Sequence, residues 1–175
     1  IDAPNGNDAE LTKADRWIHS RLNHVIQTVH QRFADYRFDL ASQALYDFTW
    51  HEFCDWYLEL TKITLNDPNT PHAQGTRHCL AETLGALLKL LHPIMPFVTE
   101  ELWLSLCKRT GQASETLMLE TFPDINSFSK DTEVEIEIEW VQNFVSNVRQ
   151  IRGEMNISPG KKLPARLAGP TENDV

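Results

Sequence analysis

The sequence predicts an all-α protein: a helical bundle of about five helices, followed by the start of a small C-terminal α/β unit. Apolar residues recur at steps of three and four over five separate segments, and proline or glycine stands near most segment ends. The 175 residues are enough for one domain with its own core. No apolar run approaches the roughly 20 residues of a membrane span, so we expect no membrane partner.

The first two helices follow from their apolar spacing. The first begins near Lys13, and its apolar face comprises Ile18, Leu22, Val25, Val29, Phe33 and Tyr36. A second helix begins near Asp39, a suitable N-cap, and ends before Pro68. It is apolar on more than one face, which predicts a central position. We interpret its aromatic cluster as core rather than as a stacking platform; the cluster comprises Trp50, Phe53, Trp56 and Tyr57.

Two further helices are delimited by prolines. Thr70 and Pro71 form a cap and first-turn pair that begins a third helix, which stops at Pro93. Pro96 suits the first turn of a fourth helix, and Gly111 ends it. The apolar residues of this fourth helix are Val98, Leu102 and Leu106. Residues 111–131 show no sustained period and are predicted to form a surface loop with one strand-like stretch, Leu117 to Thr121.

A last helix is predicted over residues 132–155, where an acidic start and two arginines near the end complement the helix dipole. The alternation of Glu133 to Glu139 with apolar residues also fits a half-buried strand locally. Lys162 to Leu167 predicts the first strand of a further unit. The expected organisation is a disordered lead-in (1–10), the helical bundle (11–131), the last helix (132–155) and the start of a truncated C-terminal unit (156–175).

Composition excludes several classes of function. The net charge of −9 argues against a protein that coats nucleic acid by charge alone. Two basic groups nevertheless predict local positive regions: Lys13, Arg16, Arg21, Arg32 and Arg37, and then Arg149, Arg152, Lys161, Lys162 and Arg166. Phosphate loops, nucleophile motifs and metal-ligand spacings are absent, so we expect no catalytic, metal or cofactor site in this chain. The three cysteines lack CxxC spacing and predict free thiols in a reducing compartment.

Four segments carry a family resemblance: ADRWIHSRLN (Ala14 to Asn23), WHEFCDWYLELTK (Trp50 to Lys62), LLHPIMPFVTEELW (Leu90 to Trp103) and IRGEMNISPGKKL (Ile151 to Leu163). The second and third resemble the anticodon-binding domains of the class I synthetases for valine, isoleucine and leucine. The fourth is similar to the valine enzymes in particular. Over residues 11 to 163 the chain therefore resembles the anticodon-binding domain of the valyl-tRNA synthetases.

The resemblance implies a domain that recognises the anticodon of valine tRNA, between a catalytic Rossmann domain and a C-terminal coiled coil. It also implies a monomeric, cytoplasmic ligase that uses ATP and magnesium. No segment resembles the HIGH and KMSKS signatures of the catalytic domain, so aminoacylation chemistry is not expected in these residues. Two alternatives stay open: the equivalent domain of an isoleucyl- or leucyl-tRNA synthetase, and a helical protein-interaction domain that binds no RNA.

The resemblance also implies site residues. Arg37 and Phe38 match an arginine and aromatic region after the first helix, and Glu101 matches an acidic position in the TEEL stretch. Valine anticodons end in adenine and cytosine, which both present an amino donor, so a carboxylate acceptor and a stacking surface are useful. We predict that Phe38 stacks on a base, that Arg37 stacks or contacts phosphate, that Glu101 accepts from an amino group, and that Arg21 binds phosphate. Glu100 is as suitable chemically as Glu101.

Overall fold

The computed structural model describes residues 10–158 and 160–164, and all regular structure in those ranges is helical. Its elements are α1 (Lys13–Ala34), α2 (Phe38–Asp47), a π-helical segment (Phe48–Tyr57), α3 (Leu58–Leu65), α4 (Pro71–Leu91), α5 (Pro96–Thr110), a 3₁₀ turn (Leu117–Leu119) and α6 (Thr132–Glu154). The residues at both ends of the π-helical segment keep helical dihedral angles, so residues 38–65 form one continuous helix. The all-α prediction with five separate helices is confirmed.

The chain divides into two compact units, and the boundary between Ile138 and Glu139 lies inside α6. The first unit contains the bundle. The sequence predicts a strand over Lys162 to Leu167 in the second unit. The structure describes residues 162–164 of this stretch, and they have no regular secondary structure. Residues 165–167 lie outside the described residues, as do residues 1–9 of the predicted lead-in.

The π-helical segment sets which aromatic side chains are buried. The buried residues along this continuous helix include Leu45, Phe48, Phe53, Tyr57 and Thr61. The five-residue step from Phe48 to Phe53 is the repeat of a π-helix, which hydrogen-bonds residue i to residue i+5. Trp56 is half-buried against the core, whereas Trp50 is 54% exposed. The prediction that the whole aromatic cluster is core is therefore wrong for Trp50.

A buried polar network fastens α1 to the π-helical segment and to α4. The fully buried Asp15 carboxylate accepts hydrogen bonds from the hydroxyls of Tyr57 (2.6 Å) and Thr76 (2.8 Å). Nearby, His19 Nε2 and Cys79 Sγ are 3.1 Å apart. Burial raises the pKa of Tyr57 above its usual range, raises the pKa of Cys79 to about 12 and lowers the pKa of His19. Since a thiolate is required for reactivity, Cys79 acts here as a structural residue.

The contacts of this network show that α1 and α4 run parallel, because Asp15 contacts Thr76 and, one turn on, His19 contacts Cys79. Beyond the second contact α1 continues to Ala34 and α4 to Leu91. At 1.5 Å per residue these remaining lengths are about 23 and 18 Å, so the two helices finish at the same end of the bundle.

After α1 the chain reverses direction and α2 packs back along α1; after α4 it reverses again and α5 packs back along α4. The ring of Phe38, at the start of α2, lies 5.5 Å from that of Phe33 near the end of α1. His92 Nδ1, just after α4, lies 2.8 Å from the hydroxyl oxygen of Thr99 in α5. Two corners of the chain, α1–α2 (residues 35–38) and α4–α5 (residues 92–98), therefore lie at one end of the bundle.

The buried face of α5 differs in part from the predicted one, although Leu106 packs against the core as predicted. Thr99, Trp103 and Cys107 are buried, whereas Val98 and Leu102 are about half exposed. Thr99 is tolerated inside because its hydroxyl is hydrogen-bonded to His92 and to the carbonyl oxygen of Met95, the N-cap of α5. The helix itself ends at the predicted glycine, Gly111, which adopts a left-handed conformation (φ 74°).

The strand predicted at Leu117 to Thr121 is wrong, because its first three residues form a 3₁₀ turn. Leu117 is buried, and its backbone N–H donates to the Glu100 carboxylate rather than to a neighbouring strand.

Candidate nucleic-acid interface

The α1–α2 corner exposes two aromatic rings. Tyr36 lies in the turn after α1 with a left-handed backbone (φ 56°), which is uncommon for a residue other than glycine. Its side chain is 81% exposed, and that of Phe38 is 55% exposed. The Phe38 ring meets the rings of Phe33 (5.5 Å) and Tyr36 (6.4 Å) edge to face, so it is held in place while much of its surface remains accessible.

Arg37 lies between these two rings in sequence and is about half exposed. Its guanidinium donates two hydrogen bonds to the Asp39 carboxylate, at 2.9 and 2.8 Å. This pairing raises the pKa of Arg37 and lowers the pKa of Asp39 to about 2. Asp39 thus orients the guanidinium instead of capping α2, whose N-cap is Arg37 itself. A planar, oriented guanidinium suits both stacking and phosphate binding, and both roles of Arg37 stay predictions.

The α4–α5 corner exposes a second apolar group. Phe97, in the first turn of α5, is 90% exposed, and its neighbours Ile94, Met95 and Val98 are each between about two-fifths and one-half exposed. An almost fully exposed phenylalanine contributes little to the core, and exposed apolar side chains close together in the chain are typical of interaction sites. Both corners at this end of the bundle therefore present rings to the outside.

Glu101 and Glu100 differ in their surroundings. Glu101 is exposed one turn after Phe97 and has no hydrogen-bond partner among the described residues. The Glu100 carboxylate instead accepts from the backbone N–H of Leu117, at 3.1 and 3.3 Å. Because Glu100 holds the 3₁₀ turn in place, Glu101 is the better placed of the two to meet a ligand; its role as an acceptor stays a prediction.

Arg21 lies in the first half of α1, well before the α1–α2 corner. Its guanidinium donates to both oxygens of Glu52 (2.7 and 3.0 Å) and to Glu135 (3.5 Å). The hydrogen bond to Glu52 is the main reason that the pKa of Arg21 is raised. A phosphate at this position would compete with two carboxylates for the guanidinium of Arg21. Arg21 also lies away from the corners that contain the other three predicted residues. Its phosphate-binding role stays a prediction.

Carboxylates around the start of α6 also neutralise the neighbours of Arg21. Lys13 pairs with Glu137 at 2.5 Å, and Arg16 pairs with Asp131 at 2.6 Å. Three members of the first basic group, Lys13, Arg16 and Arg21, are therefore paired with carboxylates of the bundle, which weakens the positive region that the sequence predicts.

Sequence reasoning missed Tyr36 and Phe97. Tyr36 continues the apolar period of α1, and nothing local indicates that the helix ends at Ala34. A weak signal for Phe97 is present. Thr99, Trp103 and Cys107 recur every four residues and are buried, which places Phe97 on the outward side of α5.

Other classes of site are not found in the described ranges. None of their helices is long and apolar enough to cross a bilayer. They also contain no group of three or more His, Cys, Asp and Glu side chains that could hold a metal ion.

Comparison with known proteins identifies relatives for almost the whole chain. Residues 15–167 match the family described as the anticodon-binding domain of tRNA ligase. A valine–tRNA ligase of Stenotrophomonas maltophilia is 46% identical over 170 residues, which cover 97% of this chain. The valine–tRNA ligases of Coxiella burnetii and Legionella pneumophila are 42% identical over 92% and 45% identical over 89% of it. The chain spans only 17 to 18% of the length of these relatives.

Proposed function

Since this chain belongs to the family of anticodon-binding domains of tRNA ligases, we propose that it binds the anticodon loop of valine tRNA. The bound tRNA is thereby positioned for ATP-dependent aminoacylation by a catalytic domain elsewhere in a longer enzyme. Support for valine comes from the relatives, which are valine–tRNA ligases. The equivalent domains of isoleucine and leucine enzymes are the competitors that an experiment has to exclude.

The observation that carries this proposal is the pair of exposed rings, Tyr36 and Phe38, on either side of Arg37. Proteins read loop bases by splaying them out, stacking them on aromatic or guanidinium planes and hydrogen-bonding to their edges. A ring that is exposed yet held by its neighbours, as Phe38 is, supplies such a plane at a small entropic cost. In this proposal Phe38 and Tyr36 stack on splayed bases.

The second corner supplies the remaining contacts. Phe97 offers another stacking surface at the same end of the bundle, and the exposed Glu101 carboxylate accepts from the amino group of an anticodon adenine or cytosine. Arg37 adds a phosphate contact or a further stacking plane. Base reading and backbone positioning are thus assigned to different side chains.

The same proposal covers the rest of the enzyme. We expect a monomeric cytoplasmic ligase in which a catalytic domain and a C-terminal coiled coil are the intramolecular partners of this domain. In this proposal ATP and magnesium are bound by the catalytic domain, as the resemblance to the valyl-tRNA synthetases implies.

Titration of the 175-residue chain with RNA stem-loops tests the proposal. We expect a valine anticodon stem-loop to bind weakly, with an affinity that falls as salt rises, because few phosphate contacts are available on an acidic chain. Isoleucine and leucine stem-loops, and a valine loop with its adenine and cytosine both replaced, should bind less tightly. Equal affinity for all of them would refute anticodon recognition. Binding of none at low salt would favour a helical protein-interaction domain.

A further inference from the structure

The final turns of α1 carry a polar concavity next to the α1–α2 corner. Its volume is about 330 Å³, and it is lined by Gln27, Thr28, Gln31 and Arg32. The carbonyl oxygen of Arg32 accepts a hydrogen bond from the backbone N–H of Arg37 at 2.8 Å, so the concavity adjoins the corner directly. We propose that Arg32 binds a backbone phosphate of the anticodon loop in this concavity. The inference rests on the proposed function, because it names a phosphate ligand for the same RNA.

Arg32 differs from the other arginines of α1 and of the corner because its charge is available. Its side chain forms no hydrogen bond or ion pair with another described residue. Arg16, Arg21 and Arg37 instead each donate to a carboxylate, at 2.6, 2.7 and 2.8 Å. A phosphate has to compete with a carboxylate at those three positions but not at Arg32. The phosphate role that the sequence predicts for Arg21 therefore fits Arg32 better.

Two glutamines add hydrogen-bond donors to the concavity. The amide nitrogen of Gln27 donates to Asn23 Oδ1 at 2.8 Å, and that of Gln31 donates to the Asp35 carboxylate at 3.1 Å. Because a glutamine amide nitrogen carries two N–H groups, each of them keeps one N–H for a ligand. The concavity thus combines one cation with two further donors. This set suits a phosphodiester, which is an anion whose oxygens only accept hydrogen bonds.

Two negative features oppose an anion here. The C-terminus of α1 carries about half a negative charge, and Asp35 lies three residues after Arg32. Asp35 is exposed, so water and salt screen its charge, whereas Arg32 is partly buried and is screened less. An arginine in the last turn also stabilises the helix dipole without any ligand. The test therefore has to separate RNA binding from helix stabilisation.

Titration of the 175-residue chain with the valine anticodon stem-loop at several salt concentrations tests the inference. Arg32→Ala should lower the salt slope by about 0.7, the effect of one phosphate contact in a single strand. Over the tenfold range from 1 M to 0.1 M salt, a slope of about 0.7 is a factor of about 5, so the Kd at 0.1 M should rise about 5-fold. The rise should be equal for cognate and altered loops, because a phosphate contact carries no base information. Arg32→Lys, which keeps the charge, should retain the salt slope.

Arg109→Ala is the matched control. Arg109 also lies in the last turn of its helix, is exposed and has no side-chain partner among the described residues. It is about 20 Å along α5 from Pro96 at the α4–α5 corner, which is twice the screening length of about 10 Å at 0.1 M salt. Thermal unfolding of each variant measures the helix-dipole contribution. Both alanine variants should unfold at a slightly lower temperature, but only Arg32→Ala should bind the stem-loop less tightly.

The outcomes separate this inference from the proposed function. If the wild-type chain binds the cognate stem-loop and folded Arg32→Ala binds it as tightly, only the phosphate site is refuted, and Arg32 merely stabilises α1. A loss confined to the cognate loop would also refute the site, because the contact would then be to a base. An equal loss in Arg109→Ala would refute it as well, since the effect would be one of overall charge. Failure of the wild-type chain to bind any stem-loop would refute the proposed function and this inference together.

Discussion

Replacing Phe38 by alanine tests whether the α1–α2 corner binds RNA. The ring is 55% exposed and touches Phe33 and Tyr36 edge to face. Each of these two aromatic pairs contributes about 0.5 to 1.5 kcal/mol, so the free energy of unfolding should fall by about 1 to 3 kcal/mol. Stacking of a base on an aromatic ring is worth about 1 to 3 kcal/mol, which corresponds to a roughly 5- to 150-fold rise in the Kd for the cognate stem-loop.

The assay is a titration of wild type, Phe38→Ala and Tyr46→Ala with the valine stem-loop, together with a thermal unfolding curve for each. Tyr46 is the matched control because its ring is 56% exposed and lies on the same helix, two turns beyond the corner. We expect Tyr46→Ala to bind like wild type. Unchanged affinity in a folded Phe38→Ala protein would remove the corner from the site, and an equal loss in both variants would show that the effect is not specific to it.

Four further outcomes are expected. Arg37→Ala should weaken cognate and altered stem-loops equally and reduce the salt slope in titrations at two salt concentrations, because a phosphate contact carries no base information. Glu101→Gln should relax discrimination at one base, measured with single-base variants of the loop, whereas Glu100→Gln should not. Trp56→Ala should lower the free energy of unfolding in denaturant by about 2 to 3 kcal/mol, less than the ~3 to 5 of a fully buried aromatic residue. Burial lowers the folded-state pKa of His19, so its contribution to stability is present above pH 6.5 and is lost as pH falls, because the unfolded state takes up the proton first. Thermal unfolding at pH 7.5 and 5.5 should therefore show a smaller loss of stability on acidification for His19→Gln than for wild type.

The sequence determined where most of the helices begin and end, because most of the signals for their ends are local; the end of α1 at Ala34 is an exception. Thr70 caps α4 through its side chain with Pro71 in the first turn, and Gly111 ends α5 in a left-handed conformation, as predicted. Apolar residues spaced three and four apart were enough to find the five helices. The family-like segments then indicated which corner to inspect, and Arg37 and Phe38 are exposed there.

The tertiary structure decided which faces are buried and which charges remain available. The π-helical repeat turned Trp50 outward, and a buried, hydrogen-bonded Thr99 placed Phe97 in solvent. Arg21 pairs with Glu52 and Glu135, which lie 31 and 114 residues away in sequence. No local pattern encodes such pairs, because electrostatic and packing energies depend on distances that exist only in the folded chain.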